Sequence, residues 1–195
     1  MWLAFRAFID WKIYNFFWML LFPVVLTFVA SPDEVAAEAQ NIALIETVRG
    51  KDAEATRLLL GSGVDPDARQ ADGATALHWA VYQEDVDIVE ALVQVNADVN
   101  IVNRLGASPL YLAAKTGNAK LIGILLSADA DPNVKLPSGE TPLMSAARSG
   151  SVDGVSNLIA AGADVNAREN SREQTALMWA AAQNHVDVVE VLINA

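Results

Sequence analysis

The feature that most constrains this chain is a short motif that returns at a fixed interval. The motif reads Thr75-Ala76-Leu77-His78 in its first clear copy, and further copies begin at Ser108, Thr141 and Thr175. The first three copies are 33 residues apart and the fourth follows after 34, while a weaker copy begins at Ile42. A chain with this period is expected to fold as a stack of similar units, because one unit alone cannot bury its apolar face.

The motif reads as the start of a helix. A hydroxyl residue suits the N-cap, and proline suits the first helical position, where a missing N–H has no consequence. The residues of this structural motif are Thr75, His78, Ser108, Pro109, Thr141, Pro142 and Thr175. Leucine and then alanine follow at a spacing that puts both on one helix face, and the small alanine lets a neighbouring helix approach closely.

A second helix is predicted about fifteen residues after the first, where a second apolar set recurs. It ends at residue types that tolerate the left-handed conformation, namely Gly63, Asn96, Asp129 and Gly162. Turn-bracing aspartates follow at Asp65, Asp98, Asp131 and Asp164, and the loop closes at Gly73, Gly106 and Gly139. The predicted unit is therefore helix, turn, helix and reversing loop.

The segments Asp72-Gly73-Ala74-Thr75-Ala76-Leu77-His78-Trp79-Ala80 and Gly162-Ala163-Asp164-Val165-Asn166-Ala167 resemble the ankyrin repeat. The resemblance covers Asn41 to Ala195, with units near 41–73, 74–106, 107–139, 140–173 and an incomplete 174–195. It implies an all-α solenoid of stacked helix–turn–helix units with hairpin-like loops. It also implies a binding function without catalytic residues.

Two units depart from the family pattern. The first lacks the motif and reads as an N-terminal cap, and the loop from Arg168 to Gln174 has an extra residue and no glycine. We also place Ala195 inside the final helix, with no polar capping repeat after it. We therefore expect either a fragment of a longer repeat protein or a partner that covers this end.

An apolar run at residues 13–30 precedes the repeats, with Arg6 and Lys12 before it. In one interpretation residues 1–39 are a signal peptide cleaved after Ala37-Glu38-Ala39; in another the run is a retained transmembrane anchor, since 18 helical residues span roughly 27 Å. A third interpretation is a buried hydrophobic capping helix. The first two place the repeat domain, residues 40–195, on the exported side of a membrane, periplasmic or extracellular.

Composition excludes several function classes. The formal net charge of −11 disfavours nucleic-acid binding, and the absence of cysteine excludes disulfides and thiolate metal sites. His78 is expected to be structural and His185 to be a surface or capping residue. We therefore predict no catalytic residues, no metal and no cofactor, and a protein that is not an enzyme.

The family resemblance places a partner-binding concave face at Trp79, Tyr82, Arg104, Lys115, Lys135, Arg148 and Trp179. Lys115 and Arg148 occupy one column of adjacent repeats, and we expect this cationic stripe either to dock an acidic segment of a partner or to be two solvated charges. Trp79 and Trp179 are read either as aromatic anchors or as side chains packed on the adjacent loop.

These observations predict a protein–protein interaction scaffold, exported or tethered to a membrane. Its partner is another protein, and any membrane contact is made only through residues 13–30 if they are retained. The alternatives are an N-terminal regulatory or targeting region of a longer multidomain protein, and a secreted effector.

Overall fold

The computed structural model describes residues 32–195, so the apolar run at 13–30 and the predicted N-terminal hydrophobic helix lie outside the described residues. The described part is all-helical, and residues 40–195 form one compact unit. Its helices are α1 Pro32–Arg49, α2 Ala53–Gly61, α3 Ala76–Tyr82, α4 Val86–Gln94, α5 Pro109–Thr116, α6 Ala119–Ser127, α7 Pro142–Ser149, α8 Val152–Ala160, α9 Ala176–Ala182 and α10 Val186–Ile193.

The helices are stacked in two layers. The inner helices, defined as α3, α5, α7 and α9, pack on one another in chain order. The outer helices, defined as α2, α4, α6, α8 and α10, form a second layer in the same order. Each inner helix also packs against the outer helix that follows it in the sequence. This arrangement is the predicted stack of helix–turn–helix units.

Polar side chains at the N-caps begin the inner helices. Ser108 accepts a hydrogen bond from the Tyr111 N–H at 3.1 Å, and Thr141 accepts one from the Met144 N–H at 3.3 Å. Pro109 and Pro142 occupy the first turns of α5 and α7. These contacts satisfy backbone donors that lack a partner inside the helix. The outer helices use other caps, at Asp52, Asp85, Asn118 and Ser151.

The two apolar columns of the inner helices form the core. Ala80, Ala113, Ala146 and Ala180 are fully buried, as are Leu77, Leu110 and Leu143. Leu177 is only partly buried, because α9 packs on α7 alone among the inner helices. The last helix ends at Ile193, so Ala195 does not lie inside it as expected.

Asparagine side chains tie successive repeats together beside the turns. Asn100 accepts from the Asp131 N–H at 2.8 Å and donates to the Asp129 carbonyl at 3.0 Å, and Asn133 makes the same pair of bonds to Asp164 and Gly162. We call this series, together with Asp67 in the preceding repeat, the Asx ladder. It couples each loop to the next one, so the repeats are joined by polar contacts as well as by the core.

The turn residues adopt the predicted left-handed backbone. Gly63, Asn96, Asp129 and Gly162 all have φ between 60° and 89°, which confirms the expectation from their residue types. The loop from Arg168 to Gln174 has no glycine, but it keeps the left-handed backbone at the same position. Glu173 has φ 54° there, where the earlier loops have Gly73, Gly106 and Gly139.

Candidate protein interaction surface

Charge is segregated between the two helix layers. The inner helices contain no aspartate or glutamate, and their charged residues at neutral pH are Lys115 and Arg148. The outer helices α4, α6, α8 and α10 contain one cation, Lys120, and five carboxylates at Asp87, Glu90, Asp153, Asp187 and Glu190. The inner layer is therefore the less acidic side of a strongly acidic chain.

Exposed cationic and aromatic side chains occupy the same position in four successive repeats, near the C-terminal end of a helix in each. Its members are Arg49 at the end of α1, Tyr82 at the end of α3, Lys115 in α5 and Arg148 in α7, all of them exposed. We call these four residues the cationic–aromatic row. Tyr82 is 65% exposed, which is unusual for a large aromatic side chain.

Each arginine of the row lies over a tryptophan of the following repeat. The Arg49 guanidinium carbon is 4.8 Å from the Trp79 ring centroid, and the corresponding distance from Arg148 to Trp179 is 4.7 Å. Such contacts are cation–π interactions. They hold a flexible side chain in one orientation and leave its outer face to solvent.

Trp79 and Trp179 differ in their indole contacts. Trp79 donates from Nε1 to the Gln70 side chain at 2.9 Å and meets Tyr82 edge-to-face with 6.1 Å between ring centroids. Trp179 Nε1 is buried and has no hydrogen-bond acceptor among the described residues. Trp79 therefore packs against the adjacent loop, as one of its two interpretations expected, and it also contacts Tyr82 of the row. Its role as an aromatic anchor for a partner stays a prediction.

Arg148 is also held by a carboxylate of its own repeat. Its Nη2 lies 3.4 Å from Glu140 Oε1, and Glu140 also accepts hydrogen bonds from the Tyr111 hydroxyl at 3.0 Å and the Ser145 hydroxyl at 2.7 Å. Burial raises the pKa of Tyr111, so its hydroxyl remains a donor. Lys115, in contrast, makes no salt bridge within residues 32–195.

The remaining predicted cations lie on two loops. Arg104 and Lys135 are exposed, and no salt bridge of either is found in the described part of the chain. The Arg104 backbone N–H donates to the Asp72 carbonyl of the preceding loop at 2.8 Å, which fixes the loop tip. The structure thus brings Trp79 to Tyr82 and Trp179 to Arg148, and it leaves Arg104 and Lys135 at separate positions on the loops.

His78 is a buried structural residue. Its Nδ1 accepts from the Thr75 N–H at 3.2 Å, which leaves Nε2 to donate to the Ala107 carbonyl of the next repeat at 3.1 Å. Desolvation by burial lowers the pKa of His78, so the ring is neutral at pH 7. These contacts join two repeats and do not form a reactive site.

His185 stands at the N-cap of α10, but its side chain makes no capping hydrogen bond. Instead Nε2 lies 3.1 Å from the Arg148 carbonyl oxygen, to which it donates. The side chain is half-buried, so His185 is a contact between two repeats and not a freely exposed surface residue.

Sequence reasoning missed two residues of this surface. Arg49 stands 33 positions before Tyr82, so the repeat period alone could have placed it in the row. Glu140 stands immediately before the Thr141 cap, and no motif indicates that its carboxylate turns toward Arg148.

Among residues 32–195 no group of three or more His, Asp or Glu side chains is placed to hold a metal ion. None of the described helices has both the length and the apolar character needed to span a bilayer.

The comparisons with known proteins agree with this architecture. The family profile described as ankyrin repeats (3 copies) matches residues 42–136 and 121–195. The chain therefore belongs to the ankyrin repeat family, whose members generally bind other proteins. It is also similar to the palmitoyltransferase AKR1 of Eremothecium gossypii, with 44% identity over 48 residues. That match covers 25% of this chain and 7% of the palmitoyltransferase, so the chain spans only a small part of this relative.

Proposed function

We propose that residues 40–195 form a protein-interaction scaffold that captures a partner on the cationic–aromatic row. The observation that carries this proposal is the placement of four exposed side chains, Arg49, Tyr82, Lys115 and Arg148, at one column of successive repeats. The inner helices contain no carboxylate, and the two carboxylates that contact the row, Glu46 and Glu140, are each paired with an arginine. An acidic segment of a partner is therefore expected to be attracted to the row.

Lys115 is expected to contribute more to an acidic partner than Arg148. Arg148 already shares its charge with Glu140, whereas Lys115 has no salt bridge among the described residues. A guanidinium has five N–H donors, so Arg148 retains donors for a second carboxylate. Exposed ion pairs contribute about 0.2–1 kcal/mol each, so the row depends on several pairs acting together.

The capture experiment compares the unchanged chain with two variants of it, each used as bait in extracts of the cells that produce the protein. The double variant Lys115→Glu, Arg148→Glu should lose a partner that the unchanged chain retains at low salt, because it reverses two charges of the row. Lys120→Glu is the matched control, since Lys120 is an exposed cation of an outer helix, 4.0 Å from Glu90. Equal retention of the partner by the unchanged chain and by both variants would refute the proposed surface.

We further propose that the repeat domain acts on the exported side of a membrane, either free after cleavage or anchored through residues 13–30. The apolar run between basic and acidic flanks supports this proposal. The test is N-terminal sequencing of the protein recovered from fractionated cells. A start near Gln40 in the soluble exported fraction supports cleavage, and an intact chain in the membrane fraction supports the anchor. An intact chain in the cytosol contradicts both.

A further inference from the structure

We propose that the partner segment is an extended acidic peptide that contacts the cationic–aromatic row with every third residue. This inference rests on the proposed function and specifies the chemistry and spacing of the ligand. It follows from the repeat distance, from the groups that the row presents and from the distribution of charge around it.

The repeat distance sets the spacing. Packed helices lie about 8–10 Å apart, so the row from Arg49 to Arg148 spans roughly 30 Å in three steps. An extended chain rises about 3.3 Å per residue, and each step therefore corresponds to about three residues of the ligand. About ten residues reach from the first side chain of the row to the last.

The identity of the four side chains sets the pattern. Arg49 and Arg148 lie on tryptophan rings that hold their guanidinium planes, and a planar guanidinium can bind a carboxylate through two hydrogen bonds. Lys115 offers a point charge, and Tyr82 offers an exposed aromatic ring. The complementary segment carries carboxylates opposite Arg49, Lys115 and Arg148, and an aromatic or aliphatic residue opposite Tyr82.

Both arginines already have a carboxylate neighbour in the chain. Arg49 Nη1 lies 2.7 Å from Glu46 Oε1 in an exposed pair, and Arg148 contacts Glu140. The two pairs leave the other guanidinium donors free to take a ligand carboxylate. The two pairs also make binding sensitive to where the ligand carboxylate is placed. A ligand carboxylate that misses the free edge of the guanidinium is repelled by the glutamate already paired with it.

An extended ligand fits this row better than a helical one. A docked amphipathic helix needs apolar anchors at successive turns, and the row presents a single exposed aromatic side chain at Tyr82. A helix rises 1.5 Å per residue, so it would need about twenty residues to reach from Arg49 to Arg148. The row therefore favours a ligand that places one side chain at each repeat.

Charge directs such a ligand to this face. The formal net charge of the chain is −11, and the outer helices α4, α8 and α10 carry five of the carboxylates. An acidic peptide is repelled from the outer layer and finds Lys115 and Arg148 on the inner one. Binding is therefore expected to weaken as salt screens these interactions.

The test uses three synthetic ten-residue peptides and the full chain. The matched peptide has glutamate at its first, seventh and tenth positions, phenylalanine at its fourth, and serine and glycine elsewhere. The same sequence is also synthesised in reverse order, because an extended peptide can run along the row in either N-to-C direction. The control peptide has the same composition with its three glutamates adjacent. Affinity is measured by isothermal titration at low salt.

We expect one of the two matched peptides to bind with a Kd about tenfold lower than that of the control. Arg49→Glu and Lys115→Glu should each remove this preference, and Lys120→Glu should leave it unchanged. Equal affinity for matched and control peptides overturns the spacing. Absence of binding by every peptide overturns the extended acidic ligand, while the capture experiment still decides separately whether the row binds a protein.

Discussion

At the scale of single residues, Asp67 occupies the position in the Asx ladder that Asn100 and Asn133 fill in the next repeats. Its carboxylate accepts from the Asp98 N–H at 2.8 Å, as the asparagines do for their own neighbours. An aspartate lacks the amide that donates from Asn100 to the Asp129 carbonyl. By the repeat register, the equivalent carbonyl is that of Asn96, and the Asp67 side chain has no N–H to donate to it.

Asp67→Asn is expected to stabilise the protein by about 1 kcal/mol, because it adds the missing hydrogen bond to the Asn96 carbonyl. The measurement is the free energy of unfolding by urea denaturation. Asp65→Asn is the matched control, since it removes the same charge from the same loop but Asp65 accepts only from the Asp67 N–H. If both variants shift stability equally, relief of charge repulsion and not the ladder accounts for the effect.

Local chemistry decided which residues could be predicted from the sequence. The N-caps were predictable because the capping side chain accepts a hydrogen bond from a backbone N–H, and the left-handed turns at Gly63 and Asn96 were predictable because these residue types tolerate a positive φ. A second left-handed column, at Lys51, Glu84, Gly117, Gly150 and Asn184, was missed. Its residue types share no common preference, because the tight turn between paired helices imposes the conformation.

The interaction surface was predictable only in outline. The period placed Lys115 and Arg148 in one column, but it did not show that Arg148 stacks on Trp179 of the next repeat or that Glu140 of its own repeat turns toward it. Such contacts depend on how adjacent units are rotated and spaced. The sequence determines the period, and the packing of neighbouring units determines which side chains meet.

At the scale of elements, the loop from Arg168 to Gln174 is organised by one buried carboxylate. Glu169 accepts from the Ser171 N–H at 2.7 Å, the Ser171 hydroxyl at 2.6 Å and the Arg172 N–H at 2.7 Å. These hydrogen bonds lower the pKa of Glu169 from 4.5 to about 2. The carboxylate thus replaces the glycine-dependent closure of the other loops.

A lowered pKa makes the stability of this loop depend on pH. The stabilisation is complete above pH 4.5, where the unfolded chain also has an ionised Glu169, and it is lost as pH falls from there toward 2. Glu169→Gln should lower the melting temperature at pH 7, and the difference from the unchanged protein should shrink over that range. Glu173→Gln is the control, because Glu173 is exposed and contacts only Arg168 by a salt bridge. A difference that is independent of pH would contradict this account.

At the scale of the whole molecule, stability depends on interfaces between neighbouring repeats. Gly150 and Gly162 both have positive φ, at 80° and 89°, but their surroundings differ. A Cβ on Gly150 would lie 2.8 Å from the His185 ring of the next repeat, and a Cβ on Gly162 would meet nothing within 4 Å. Alanine substitutions at these two positions therefore distinguish the cost of backbone strain alone from the added cost of disturbing the interface between two repeats.

Gly162→Ala is expected to cost about 1–2 kcal/mol, which is the cost of a left-handed backbone for an L-residue. Gly150→Ala should cost about 1 kcal/mol more, because His185 must also leave the Arg148 carbonyl. The loss should be local, since in a stack each repeat depends on its neighbours. Hydrogen exchange should therefore accelerate in α9 and α10 of Gly150→Ala while α3 to α6 retain their protection. Uniform acceleration along the stack would show that the repeats unfold as one unit.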